Sequence, residues 1–152
     1  MNERGFRLYR RNLPHLRIEG ATYFVTWRLR KEQPELNPKE RTAIAEALRH
    51  RDGDRYRLAG FVVINDHVHV VVEPGAGHCL ESIVQAWKSY TGHLLRGATA
   101  RQRPVWMDEY FDRVLRSEME LAEKLAYICE NPWRRWPELD VYPWVWLSSE
   151  GE

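Results

Sequence analysis

The stretch from Tyr56 to Glu73 constrains the fold more than any other part of the chain. Tyr56 to Ile64 and His67 to Glu73 are both rich in β-branched and aromatic residues and read as strands. Only Asn65-Asp66, a pair with turn chemistry, separates them, so they form an antiparallel hairpin. Upstream, Ala21 to Leu29 alternates as a half-buried strand does. Pro34 and Pro38 break the chain, Asn37 caps a helix beginning at Pro38, and Ile44, Ala47 and Leu48 form its apolar stripe up to about Arg51. After Pro74-Gly75-Ala76-Gly77, the residues Leu80, Ile83, Val84, Trp87, Leu94 and Leu95 recur at helical spacing to about Arg96, where Gly97 is expected to end the helix. Tyr110 to Arg116 reads as a short fourth strand. The capping box Ser117-Glu-Met-Glu120 then opens a helix with Leu121, Leu125 and Ile128 on its core side, which Pro132 is expected to stop.

The order β-α-β-β-α-β-α is that of an α+β, ferredoxin-like split βαβ fold with an antiparallel sheet, followed by one added C-terminal helix. With 152 residues, 43% hydrophobic content and seven Trp, the chain has enough apolar side chain for one domain spanning 1–152. Residues 133–152, rich in Trp and Pro, are expected to pack over the body. No run of about 18 apolar residues occurs, which excludes a membrane-spanning helix, and the N-terminus is too polar for a secretory signal, so a cytoplasmic location is expected. Cys79 and Cys129 are too few for a disulfide scaffold or a thiolate zinc site.

The net charge of +1 conceals an asymmetry. Residues 1–31 hold Arg4, Arg7, Arg10, Arg11, Arg17, Arg28, Arg30 and Lys31 against only Glu3 and Glu19. Residues 1–17 therefore read as a basic arm, suited either to a polyanion or to solvent.

Candidate chemistry lies at two places. His67 and His69 are one residue apart on a strand, so both imidazoles point to one face while Val68, Val70 and Val72 point to the other. Such a pair either chelates a cation or simply packs. On the last helix Tyr127 and Asn131 are four residues apart and share a face, with a core tyrosine as the plain alternative.

Taken together, Ile64-Asn-Asp66-His67-Val-His69 with Val70-Val-Val72, and Tyr127-Ile-Cys-Glu-Asn131-Pro132 some 60 residues later, resemble the HUH single-tyrosine transposases of bacterial insertion sequences. The chain is most similar to the REP-associated tyrosine transposases, whose usual motifs are Met-Pro-Asn-His-x-His and Tyr-Ile-x-x-Asn-Pro. Trp87-Lys-Ser-Tyr-Thr91, Trp106, Tyr110-Phe-Asp-Arg113, Tyr142-Pro-Trp144 and Ser148-Ser149 extend the resemblance over roughly residues 18 to 149. It departs at Ile64-Asn-Asp66, where Met-Pro-Asn is common.

The resemblance implies a metal-dependent endonuclease and strand transferase acting on single-stranded or hairpin DNA. Tyr127 would be the nucleophile, giving a 5′-phosphotyrosine and a free 3′-hydroxyl. His67, His69 and Asn131 would hold Mg²⁺ or Mn²⁺, with Glu130, about 100° round the helix from Asn131, as the lesser candidate. A phenol ordinarily titrates at about pH 10 and so needs activation, and a cation beside the phosphate neutralises charge there. Lys88, Arg101, Arg103, Arg10, Arg11, Arg134 and Arg135 are the expected phosphate contacts, and the rings of Trp133-Arg-Arg-Trp136 serve either base stacking or packing. Two other classes remain open: a DNA-binding module of the same fold without turnover, and a metal-dependent hydrolase with water as nucleophile. The short segment after Tyr127 suits a tyrosine serving its own histidines, so a monomer is expected in preference to a homodimer.

Overall fold

A computed structural model describes residues 6–9, 15–99 and 101–149. The chain order is β1 (Phe6–Tyr9), β2 (His15–Ile18), β3 (Thr22–Arg28), α1 (Pro38–Arg49), β4 (Tyr56–Val63), β5 (His67–Pro74), α2 (Leu80–Thr99), β6 (Phe111–Leu115), α3 (Glu118–Arg135) and β7 (Val145–Leu147). β6, β3, β5, β4 and β7 form one sheet in that spatial order, with every neighbouring pair antiparallel. Without β7 this is the expected split βαβ arrangement, in which β5 inserts between the parallel strands β3 and β4.

Period-2 alternation assigns the two faces of the sheet. Tyr23, Val25 and Trp27 of β3 and Val68, Val70 and Val72 of β5 join a core closed by α1 and α2, which contribute Ile44, Leu48, Leu80, Ile83, Val84, Trp87 and Leu95. Trp27 stacks on Trp87 at 5.6 Å and meets the edge of Trp106 at 6.1 Å. Phe24, Val62, Ile64 and Val71 face the other way, under α3, where Ile128, Leu115 and Tyr142 complete a smaller core. Among the described residues no helix is long and apolar enough to cross a membrane.

Local signals explain most of the element ends. Asn37 accepts from the Glu40 backbone N–H at 2.8 Å and Glu40 accepts from that of Asn37 at 2.9 Å, a full capping box with Pro38 in the first turn. Ser117 likewise accepts from the Glu120 backbone at 3.1 Å, while the Glu120 carboxylate accepts from the backbone of Arg116 at 2.7 Å.

Two expected stops fail. α2 runs through Gly97 to Thr99, because glycine costs a helix only about 1 kcal/mol, and Leu95 is anchored in the core one turn earlier. Pro132 lies inside α3, where it is buried, and the helix ends at Trp136, whose N–H reaches the Pro132 carbonyl at 2.7 Å. Packing of the turn against the smaller core outweighs the lost backbone donor of the proline.

The sequence reading also missed three strands. Residues 6–9 and 15–18 pair as a hairpin rather than forming a free arm. Arg17 ties it down, donating to Glu81 on α2 at 2.9 Å and to both Asp112 oxygens on β6 at 2.9 and 3.1 Å. β7 lies against β4 at Gly60, where a Cβ would sit 2.7 Å from Leu147 Cδ2 and 3.0 Å from the Trp146 carbonyl, so only glycine admits the strand so closely. Trp136, Leu139, Tyr142 and Trp144 pack on the α3 side.

Candidate active site

The site grows out of the pairing of β3 with β5. Thr26 lies opposite His69 and Arg28 opposite His67, so residues from two strands share one patch of the α3 face. The Nε2 atoms of His67 and His69 converge to 3.1 Å. Their Nδ1 atoms are tied elsewhere, that of His67 to Asp66 Oδ1 at 2.7 Å and that of His69 to Thr26 Oγ1 at 2.7 Å.

The two nitrogens are spaced as neighbouring ligands of a divalent cation would be, and among the described residues no third His, Cys, Asp or Glu joins them as a ligand. Two nitrogens 3.1 Å apart suit adjacent ligands of one ion at the usual bond length of about 2.1 Å. Holding Nδ1 by a carboxylate or hydroxyl orients each ring and leaves Nε2 for the ion, as in many metal sites. Both imidazoles are held neutral, the form that ligates. Burial lowers the pKa of His69 to about 3, helped by the charges of His67, Arg28 and Lys124. Burial also lowers that of His67, against the opposing effect of Asp66. Asp66 is itself below the usual carboxylate value. Its partial burial pushes it up, but the hydrogen bond with His67 and the charges of His67, Arg135 and Arg28 outweigh that.

α3 brings the phenol to the histidines. The Tyr127 ring lies 5.3 Å from that of His69 and meets Phe24 edge-on at 6.0 Å, while Phe24 stacks on His69 at 5.2 Å. Tyr127 also lines an open cavity of about 420 Å³ with Arg113, Lys124, Glu130 and Arg134. His67, His69 and Tyr127, predicted from two distant motifs, therefore meet within one chain. Asn131 sits one turn beyond Tyr127, half-buried, and no hydrogen bond joins it to either imidazole. Glu130 is exposed and pairs with Arg134 at 3.4 Å.

The expected phosphate contacts divide sharply. Arg134 lies over the Tyr127 ring at 5.3 Å, and Arg135 approaches Asp66 at 3.7 Å, so both border the site. Arg103 is exposed in a separate groove with Arg96 and His93. Arg101 is not a surface residue: it is 8% exposed, donates to both Glu40 oxygens at 2.7 and 2.8 Å, and holds the carbonyls of Pro34 and Glu35. Lys88 is likewise engaged, donating to the carbonyls of Met107 and Asp108 at 2.8 and 2.9 Å. Arg101 is held in place by a buried carboxylate and backbone carbonyls, whereas Lys88, engaged by two carbonyls, still lines the groove of Arg103. Arg10 and Arg11 lie outside the described residues. Trp133 and Trp136 serve packing: Trp133 donates to the Leu139 carbonyl at 2.8 Å and Trp136 stacks on Tyr142 at 5.6 Å.

Sequence reasoning missed Thr26, Phe24, Asp66 and Lys124. The first two need the β3–β5 register to be noticed. Asp66 directly precedes His67, and Lys124, three residues before Tyr127, is legible from helical spacing alone.

No protein-family model and no curated protein sequence matches the chain. Solved structures do match. A REP-associated tyrosine transposase bound to a REP hairpin superposes with a TM-score of 0.70 at 20% identity, covering 90% of this chain and 80% of that one. A candidate transposase from Deinococcus radiodurans gives a TM-score of 0.55 at 17% identity, over 80% of this chain and 95% of the other. Over most of its length this chain therefore has the fold of a REP-associated tyrosine transposase.

Proposed function

We propose that this protein is a transposase-like enzyme that cuts and rejoins single-stranded or hairpin DNA through a covalent link to Tyr127. The observation that carries the reading is the phenol ring placed 5.3 Å from a histidine whose Nε2 converges with that of a second histidine. A tyrosine that opens onto a cavity of about 420 Å³ is accessible to a substrate, and the two Nε2 atoms, which share a hydrogen bond, are close enough to turn to one ion. The hairpin bound by the structural neighbour supports DNA of that shape as the substrate.

Each side chain has a role in this chemistry. Tyr127 attacks phosphorus and retains the 5′-phosphate, which keeps the bond energy for rejoining. His67, His69 and Asn131 would hold Mg²⁺ or Mn²⁺, which supplies positive charge against the scissile phosphate when bound. Asp66 and Thr26 fix the ring orientations of the histidines, and burial of the rings keeps them unprotonated. Because the phenol and both histidines come from one chain, a monomer contains a complete site.

The test is incubation of the protein and a Tyr127→Phe variant with labelled hairpin DNA and Mn²⁺, followed by a denaturing gel. A covalent adduct with the wild type alone is the expected result. Cleavage by both proteins without an adduct would replace this reading with a water-using hydrolase. Binding without cleavage across several hairpins would leave a DNA-binding module.

A further inference from the structure

The stripe of α3 that carries the phenol also carries cations. Glu120, Lys124, Tyr127, Asn131 and Arg134 follow one another at three- and four-residue steps and so line one face of the helix. Lys124 Nζ sits 5.6 Å from the centre of the Tyr127 ring and 4.7 Å from that of Phe24. Arg134 flanks the same phenol at 5.3 Å.

The cations of this cavity are not equivalent. Arg134 is paired with Glu130 at 3.4 Å and Arg113 with Glu120 at 3.5 Å. Glu123 lines the same cavity. Among the described residues Lys124 has no carboxylate partner and donates no hydrogen bond, although its side chain is half-buried against two aromatic rings. The ammonium therefore sits beside the proposed nucleophile with no ion pair of its own among the described residues. A half-buried cation in that state favours an incoming anion.

We infer that Lys124 is a catalytic residue, whose ammonium receives a non-bridging oxygen of the scissile phosphodiester beside Tyr127. The inference rests on the tyrosine reading above and adds a second positive charge, on the helix side of the phosphate, to that of the histidine side. In the step it assists, Tyr127 Oη bonds to phosphorus and the bond from phosphorus to the 3′ oxygen breaks, its electron pair leaving with that oxygen. The phenolic proton passes to water and the 3′ oxygen takes one up, so a phenol and a diester become a phosphotyrosine and a 3′-hydroxyl. Arg134, held by Glu130, positions the ring from the other end of the stripe.

Single-turnover formation of the covalent adduct on hairpin DNA with Mn²⁺, together with hairpin affinity, tests the assignment. Lys124→Met should slow adduct formation about 100-fold, as removal of one transition-state donor does, while affinity for the hairpin changes less than about threefold. Lys124→Arg should recover most of the rate. A methylphosphonate at the scissile linkage, which lacks the charged oxygen, should slow the wild type yet add little to the defect of Lys124→Met, a coupling that a merely structural lysine would not produce. Wild-type rates in Lys124→Met, or equal losses in the Met and Arg variants, overturn the role of Lys124 while leaving the tyrosine reading intact. A wild-type protein that forms no adduct overturns both.

Discussion

On the sheet face under α1 and α2, β5 presents Val68, Val70 and Val72; on the face under α3 it presents His67, His69 and Val71. The first face is closed by two helices and by stacked tryptophans. The second is covered by one helix and the residues that follow it, with a cavity beside Tyr127. Polar groups are buried on this second side only where each has a partner, as His67 has Asp66 and His69 has Thr26. One strand thus divides its labour by parity, with stability on one side and the proposed chemistry on the other.

If that division is right, damage to the helix-paired face should appear in stability first. Trp27→Ala, at a fully buried ring between Trp87 and Trp106, should cost about 3–5 kcal/mol in urea unfolding. A cost below about 1 kcal/mol would break the comparison. Next, Arg101→Met removes the ion pair and both hydrogen bonds that Arg101 gives the buried carboxylate of Glu40 and should cost about 3 kcal/mol. Hairpin affinity, measured where the variant is still folded, should not change. A selective loss of affinity would return Arg101 to the DNA surface.

Changes under α3 should do the reverse. Asp66→Asn should weaken Mn²⁺ binding about 10–100-fold by titration calorimetry while stability moves by less than about 1 kcal/mol. Unchanged metal affinity would detach Asp66 from the site. The smallest effect is on pH. Both histidines titrate lower in the folded chain than the ordinary value of about 6.5, so the unfolded chain binds the extra protons. Their contribution is fully present above about pH 6.5 and is lost as pH falls toward 3. Between pH 7 and 6, without added metal, the wild type should lose about 1 kcal/mol, and His69→Gln should lose less. A wild type that gains stability over that interval would contradict the buried neutral pair.

The sequence made the site's centre legible and its surroundings less so. His67, His69 and Tyr127 follow from strand parity, helix spacing and a family resemblance, all of which survive without knowledge of packing. The order of the central elements follows equally from local signals such as the Asn37 cap. Arg101 and Pro132 were misread because charge and propensity are local, whereas their roles are set by distant carbonyls, by Glu40 and by the smaller core. β7 escaped notice because three residues carry little pattern, and its place depends on the missing side chain of Gly60.

The anchoring of the first hairpin by Arg17 bears on how the protein can be cut and recombined. Asp112 on β6 has a side chain only 1% exposed, and it pairs with a cation some 95 positions earlier. A shortened chain starting at Ala21 would leave that carboxylate buried beside Tyr110, whose phenol is already pushed up to about 12, chiefly by burial. The leading hairpin is therefore not a removable tag, and exchange between relatives would have to move it together with β6 and the start of α2.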